Sequence, residues 1–393
     1  MARSGVAAAR LLLRQGGSVS VTEKATSPAL QDTARQLRQE GVEVELGVHT
    51  PDFIAGRDFI VVSPGVRPDV EPIVWAQQPK IDIISEIELA FRVCPATIIA
   101  ITGTNGKTTT TTLVGEVLRA AGKKAYTLGN IGTPFSQHVM EMTSGDFVSL
   151  ETSSFQLEAI RSFHPRVAAI LNITPDHLDR YPDVAAYLKA KKRIWINQDK
   201  NDWLVLNAGD PMLKGLASEA PSRVIYFNKD GDDPALDQNQ QAVVAIAGCL
   251  GVGPDVCRKV FATFKGVEHR MEFVRELGGV VFINDSKATN IDSTVWALKN
   301  IRRPAVLLAG GRDKGSDFAS ILPLVKQKVR CVVVVGEASD RIRAAWRNAL
   351  PLEQASTFEE AVRTAYRFAA EGDCVLFSPM CKSFDMFTDY EHR

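Results

Sequence analysis

Along the chain, short β-branched and apolar runs alternate with longer stretches in which apolar positions recur every three or four residues. The short runs predict strands from Ser18 to Val21, Phe59 to Val62, Thr97 to Thr102, Phe147 to Glu151, Val167 to Ile173, Val280 to Asn284, Ala305 to Ala309, Val332 to Val335 and Val375 to Ser378. Helical periodicity runs from Thr108 to Ala121, Ala186 to Asn197, Thr294 to Lys299 and Phe358 to Ala369. Near-continuous apolar strands interleaved with helices imply parallel sheets covered on both faces.

Two interruptions divide this pattern. A helix ends around Phe91–Pro95, and Gly266 punctuates another stop near Phe264–Glu268, before a fresh β pattern at Phe273. The chain therefore reads as three α/β domains, 1–93, 94–266 and 267–393, as expected for 393 residues at roughly 150 per domain. The start, Met1 to Gly17, has the period of an amphipathic helix. Its apolar stretch Leu11-Leu12-Leu13 is broken by Arg14, unlike a signal-peptide core.

Composition narrows the function. Lys plus Arg (46) balances Asp plus Glu (46), which argues against a nucleic-acid partner bound through phosphate neutralisation. No run of 18 apolar residues predicts a membrane span. Six cysteines without a CxxC pair fit a reducing cytoplasm. The expectation is a cytoplasmic enzyme acting as a monomer on small molecules, with no nucleic-acid or membrane partner.

The sharpest motif follows the strand ending at Thr102. Gly103-Thr104-Asn105-Gly106-Lys107-Thr108-Thr109 leads into a helix. Its glycines admit close backbone approach, and a helix N-terminus favours an anion. Lys107 would reach the β- and γ-phosphates of a nucleotide, and the Thr108 hydroxyl would join a Mg²⁺ shell. Ile101 stands where strict Walker spacing asks for glycine. The loop alone leaves kinase, ATPase, GTPase and ligase open.

Polar residues at other strand ends add chemistry, because open α/β sheets bind ligands there. Glu151 closes one strand and suits Mg²⁺, which takes one or two carboxylates with phosphates and water. His177, between Asp176 and Asp179, suits a metal or a substrate. His269-Arg270, Asn284-Asp285-Ser286-Lys287-Ala288-Thr289-Asn290, Gly310 to Gly315 and Pro379 to Asp385 place further charges at strand ends. The basic run Lys189-Ala190-Lys191-Lys192-Arg193 reads by itself as a solvated helix face.

In this order the phosphate loop, Glu151-Thr152-Ser153-Ser154-Phe155-Gln156-Leu157, Asn172-Ile173-Thr174-Pro175-Asp176-His177-Leu178-Asp179, His269-Arg270 and Asn284 to Asn290 resemble the Mur ligases, ATP-dependent amide-forming enzymes of peptidoglycan precursor synthesis. The Glu-x-Ser-Ser-Phe-Gln-Leu form, Ser286 to Asn290 and Ser378-Pro379-x-Cys381-x-Ser383-Phe384-Asp385 look most like the D-glutamate-adding branch. The resemblance implies a Rossmann-like N-terminal domain, a central P-loop ATPase-type domain with a mostly parallel sheet, and a Rossmann-like C-terminal domain. It implies ATP, two Mg²⁺ ions, and the substrates UDP-N-acetylmuramoyl-L-alanine and D-glutamate, joined through an acyl phosphate.

Roles follow from the same resemblance. Thr108 and Glu151 would hold the first Mg²⁺ and His177 the second. Lys191 falls where the family carries a carbamylated lysine, a further metal ligand. Arg270, Asn284 and Asp285 would face ATP, with Lys287 near the transferring phosphate. Thr289, Lys314, Ser383 and Phe384 would hold D-glutamate. Ser63 and Asn130 would contact the UDP-sugar, with Ser153 and Gln156 also on the substrate side. Another amino-acid-adding Mur ligase, a folate polyglutamate ligase and a truncated, inactive nucleotide-binding form are the alternatives. The family's first strand would precede Ser4-Gly5, and its last helix would continue past Arg393. Tyr226 to Gln241 is shorter than its counterpart, with Asp237-Gln238 in place of a His-Asn pair and Asn239 as a neighbour.

Overall fold

A computed structural model describes residues 1, 3–77, 80–130, 132–313 and 315–393. They form two compact units, Met1–Ile173 with Ala185–Phe264, and Thr174–Val184 with Lys265–Arg393.

The first unit opens with the helix Arg3–Arg14, whose Ala8 and Leu11 face inward as its period predicts. Strands β1 (Ser20–Glu23) and β2 (Glu43–Leu46) pair in parallel, and so do β3 (Phe59–Val62) and β4 (Asp82–Ser85). Among the described residues no strand joins these two pairs into one sheet. A small core of Ala9, Val19, Ala34, Leu37 and Val42 packs beneath the first pair.

The same unit carries a six-stranded sheet built from β5 (Thr97–Thr102), β6 (Ala125–Gly129), β7 (Phe147–Glu151), β8 (Val167–Ile170), β9 (Trp203–Asn207) and β10 (Arg223–Phe227). Its order is β10-β9-β8-β5-β7-β6, with every pairing parallel. β5, which leads into the phosphate loop, is therefore central. Ile99 and Ile101 on β5 meet Leu113, Val114 and Val117 of the helix Lys107–Ala120, and Val243 and Ile246 of the helix Gln238–Cys249.

The second unit has β11 (Glu272–Leu277), β12 (Val280–Asn284), β13 (Ala305–Gly310), β14 (Val329–Val335), β15 (Leu352–Gln354) and β16 (Cys374–Met380), in the order β11-β12-β16-β13-β14-β15. All pairings are parallel except β11 with β12. The all-parallel expectation fails at this edge. Gly278 and Gly279, both at positive φ, make a tight turn that only an antiparallel neighbour needs.

β8 also stops at Ile170, short of Ile173. Its backbone leaves the ladder because side chains take over the bonding: Asn207 Nδ2 donates to Leu171 O at 2.9 Å, and Ile173 N donates to Asp210 Oδ2 at 2.7 Å. Among the described residues no helix is long and apolar enough to cross a membrane.

Candidate active site

The first unit brings the phosphate loop, a carboxylate and a buried lysine together at the carboxyl ends of β5 and β7. Gly106 caps the loop helix at φ +80°, a conformation that favours glycine, and a Cβ there would run into Asn239 Oδ1. Asn172, two residues past the end of β8, braces the loop. Its Oδ1 accepts from Asn105 N at 2.8 Å, its Nδ2 donates to Asn105 O at 3.1 Å, and its carbonyl accepts from Thr104 N at 3.0 Å. Lys107 Nζ folds back to donate to Gly103 O at 3.0 Å and Thr104 O at 2.7 Å. Thr109 lies half-buried on the following turn.

Glu151 is 1% exposed, and both of its oxygens are engaged. Thr108 Oγ1 donates to Oε2 at 2.8 Å, and Asn130 Nδ2 donates to Oε1 at 2.9 Å. Asn130, expected at the UDP-sugar, thus lies beside the carboxylate. Lys191 is buried as well. Its Nζ donates to Gly103 O at 2.8 Å and Thr102 Oγ1 at 3.3 Å, and stands 4.6 Å from the Tyr187 ring centroid.

Among the described residues no three His, Cys, Asp or Glu side chains converge to hold an ion alone. A hydroxyl beside one carboxylate at the mouth of a phosphate loop instead fits Mg²⁺ that is completed by nucleotide phosphates and water. Ser153 and Gln156 form a reciprocal capping box on the helix Ser154–Glu158. Ser63 lies beside Ser4, with hydroxyl oxygens 3.5 Å apart.

The second unit gathers its polar residues at the end of β12. Asp285 is fully buried, accepting from Ser378 Oγ at 2.8 Å and Met271 N at 3.3 Å, with Arg270 Nη1 at 3.9 Å. Burial pushes its carboxyl up to about 6, against the lowering pull of Arg270 and the two hydrogen bonds. Asn284 Nδ2 lies 3.1 Å from both His269 Nδ1 and Glu272 Oε2. The Lys287 ammonium stands 5.1 Å from the Tyr390 ring centroid. Thr289 N donates to Lys287 O at 3.0 Å, continuing the turn.

Asp176 and His177 belong to this unit. His177 is at φ +56°, with its N–H donating to Asp176 Oδ1 at 2.8 Å and its Nε2 3.6 Å from Asp176 Oδ2. Asn290 Nδ2 donates to Asp176 Oδ2 at 3.2 Å. Ser383 is buried, and its carbonyl accepts from Phe387 N at 2.9 Å. Phe384 is 55% exposed. Lys314 lies outside the described residues.

Sequence reasoning passed over Asn172 as the brace of the loop and Tyr390 as the partner of Lys287. Neither has a local signal, since each acquires its role from a strand or turn remote in sequence. Lys191 did have one. Tyr187, Ala190, Lys191 and Ile194 share the helical spacing of a buried stripe, and all four are buried.

Comparison with known proteins covers the same segments. The MurD-like N-terminal domain of Mur ligases matches residues 1–85, the Mur ligase middle domain 101–247 and the Mur ligase glutamate ligase domain 269–381. The UDP-N-acetylmuramoylalanine–D-glutamate ligase of Geotalea daltonii is 41% identical over 427 aligned residues, covering 100% of this chain and 94% of that protein. The same-named enzyme of Thermoanaerobacter pseudethanolicus is 39% identical over 426, covering 99% and 94%. Among solved structures, MurF from Acinetobacter baumannii aligns with a TM-score of 0.63 at 17% identity, covering 92% of this chain and 87% of that one. UDP-N-acetylmuramate–alanine ligase MurC from Thermotoga maritima gives 0.62 at 19%, covering 96% and 93%. These two likenesses concern the fold alone.

Proposed function

The chain belongs to the Mur ligase family, and on that premise we propose that it joins D-glutamate to UDP-N-acetylmuramoyl-L-alanine in peptidoglycan precursor synthesis, with conversion of ATP to ADP and phosphate. The observation that carries this reading is identity near 40% to D-glutamate ligases over the whole chain.

The UDP-substrate carboxylate attacks the γ-phosphorus of ATP, and ADP leaves. The amine of D-glutamate then attacks the acyl carbon of the resulting acyl phosphate, losing a proton as the amide forms and phosphate departs. Lys107 swings from the loop carbonyls to the β- and γ-phosphates, offsetting charge that grows during transfer. Thr108 and Glu151 would hold Mg²⁺, His177 would lie at a second ion, and Lys191 as its carbamate would be a further metal ligand. Bound there, the metal would supply Lewis-acid charge for phosphoryl transfer.

Arg270, Asn284 and Asp285 face the nucleotide, and Lys287 adds a cation at the transferring group. Thr289, Lys314, Ser383 and Phe384 take D-glutamate. Residues 1–93, with Ser63 and Asn130, take the UDP-sugar; 94–266 form the ATP domain and 267–393 the amino-acid domain.

Phosphate release measured with each amino acid in turn tests the reading. It should require D-glutamate together with UDP-N-acetylmuramoyl-L-alanine. Release with L-lysine or meso-diaminopimelate but not D-glutamate would overturn the substrate assignment.

A further inference from the structure

One arginine outside every role assigned above reaches two of the loops that carry them. Arg393 Nη2 donates to Ser286 O at 2.6 Å, its Nε donates to Ser286 Oγ at 3.2 Å, and its Nη1 donates to Cys381 O at 3.1 Å. Ser286 is wholly buried between Asp285 and Lys287. Its Oγ donates to Tyr390 O at 2.8 Å, and its N donates to Asn284 Oδ1 at 3.0 Å. Cys381 precedes Lys382 and Ser383 in the other loop.

Three acceptors in two separate turns match the rigid fork of a guanidinium, and a single ammonium cannot span them with the same directions. Lys287 is thereby bracketed. On its N-terminal side Arg393 and Tyr390 O fix Ser286, and over its ammonium lies the Tyr390 ring. Both of these partners belong to one short turn, closed by Arg393 N donating to Asp389 O at 3.3 Å.

We infer that Arg393 is a positioning residue, clamping the turn from Asn284 to Lys287 so that Lys287 is held ready for the transferring phosphate. This rests on the role proposed for Lys287. Losing the clamp leaves the ammonium chemically intact but mobile, and misplacement by about 1 Å can cost on the order of 100-fold in rate.

The test uses the full chain and a double-mutant cycle in kcat. Arg393→Ala should lower kcat about 10- to 100-fold, and Arg393→Lys should recover only part of that loss. In a Lys287→Ala background the same Arg393→Ala change should matter by less than about threefold, because the group it positions is gone. In the nucleotide-free protein, amide exchange at Ser286, Lys287 and Ala288 should quicken at least about tenfold, while the Asp285 amide, bonded to Phe377 O in the sheet at 2.8 Å, stays protected.

If Arg393→Ala does not fold, Ser286→Ala removes the Nε acceptor and spares the carbonyl, and should still lower kcat about threefold or more. A wild-type kcat in both of these variants would overturn the clamp. So would an Arg393→Ala loss equally large with and without Lys287. A wild-type kcat in Lys287→Ala would instead overturn the role of Lys287 on which the inference stands.

Discussion

Lys191 Nζ lies 2.8 Å from the carbonyl oxygen of Gly103, so a buried lysine amine sits against the first turn of the phosphate loop. Once the ammonium form has lost a proton, the free amine can add CO₂ and release a second proton, which leaves a carboxylate-like anion, the form a metal ligand needs. Lys191→Arg keeps a cation within reach of Gly103 O but cannot accept CO₂. Ligase activity is expected to fall by at least about 100-fold. Carbon NMR with labelled bicarbonate should show a carbamate signal in the parent protein that Lys191→Arg lacks; equal spectra would remove the carbamate from the mechanism.

Glu151 accepts from Thr108 and Asn130 at once. Glu151→Gln preserves the shape and discards the charge. The Mg²⁺ concentration for half-maximal activity should rise about 10- to 100-fold, read from a titration at fixed ATP. An unchanged titration would move the metal elsewhere.

Gly106→Ala combines a left-handed backbone with a collision against Asn239 Oδ1. Strain of about 1–3 kcal/mol is expected, together with loss of nucleotide affinity. Thermal melting with and without ADP separates the two effects. ADP should stabilise the parent protein and do little for the variant.

The central strand and its loop were readable because their chemistry is local. An apolar run, two glycines and Lys-Thr stand next to one another in sequence, and β5 spans the predicted residues. The partners of that loop were less so. Asn172 reaches it through strand order, which no neighbouring residue announces, and Lys191 through helix phase, legible only in the spacing of Tyr187, Ala190, Lys191 and Ile194. β11 was readable only as a start near Phe273, since five of its six residues are exposed and it carries no buried face. Ser153 and Gln156 show the converse. Their Ser-x-x-Gln spacing is a capping signature in its own right.

That signature gives a clean separation. Ser153→Ala should cost about 1 kcal/mol of stability through the lost cap. If Ser153 also touches the UDP-substrate, KM for that substrate rises while KM for ATP does not. A stability loss with both constants unchanged would assign Ser153 to the cap alone.

Asp285 makes stability depend on pH in an unusual direction for a carboxyl. Its folded value near 6 lies above that of the unfolded chain, so the folded protein binds the extra proton between about pH 4 and 6. Its contribution to stability is therefore largest below pH 4 and declines as pH rises through 6, by roughly 3 kcal/mol in all. Asp285→Asn should gain on the parent protein steadily over that window in denaturant melts at several pH values. A constant difference would show that Asp285 does not titrate there.

The second unit is made of two pieces of chain, 174–184 and 265–393, and Asp176 and Asp179 in the earlier piece meet Asn290 and Lys382 in the later one. On the ribosome these partners emerge far apart in time, N-terminal first. The earlier piece must wait, strung between β8 and the helix Val184–Lys192, until the last strand of the other sheet has been made. A single cut near residue 265 therefore does not release a finished body. A fragment beginning there would lack Asp176, His177 and Asp179, so chain order makes completion of the unit a late event of synthesis.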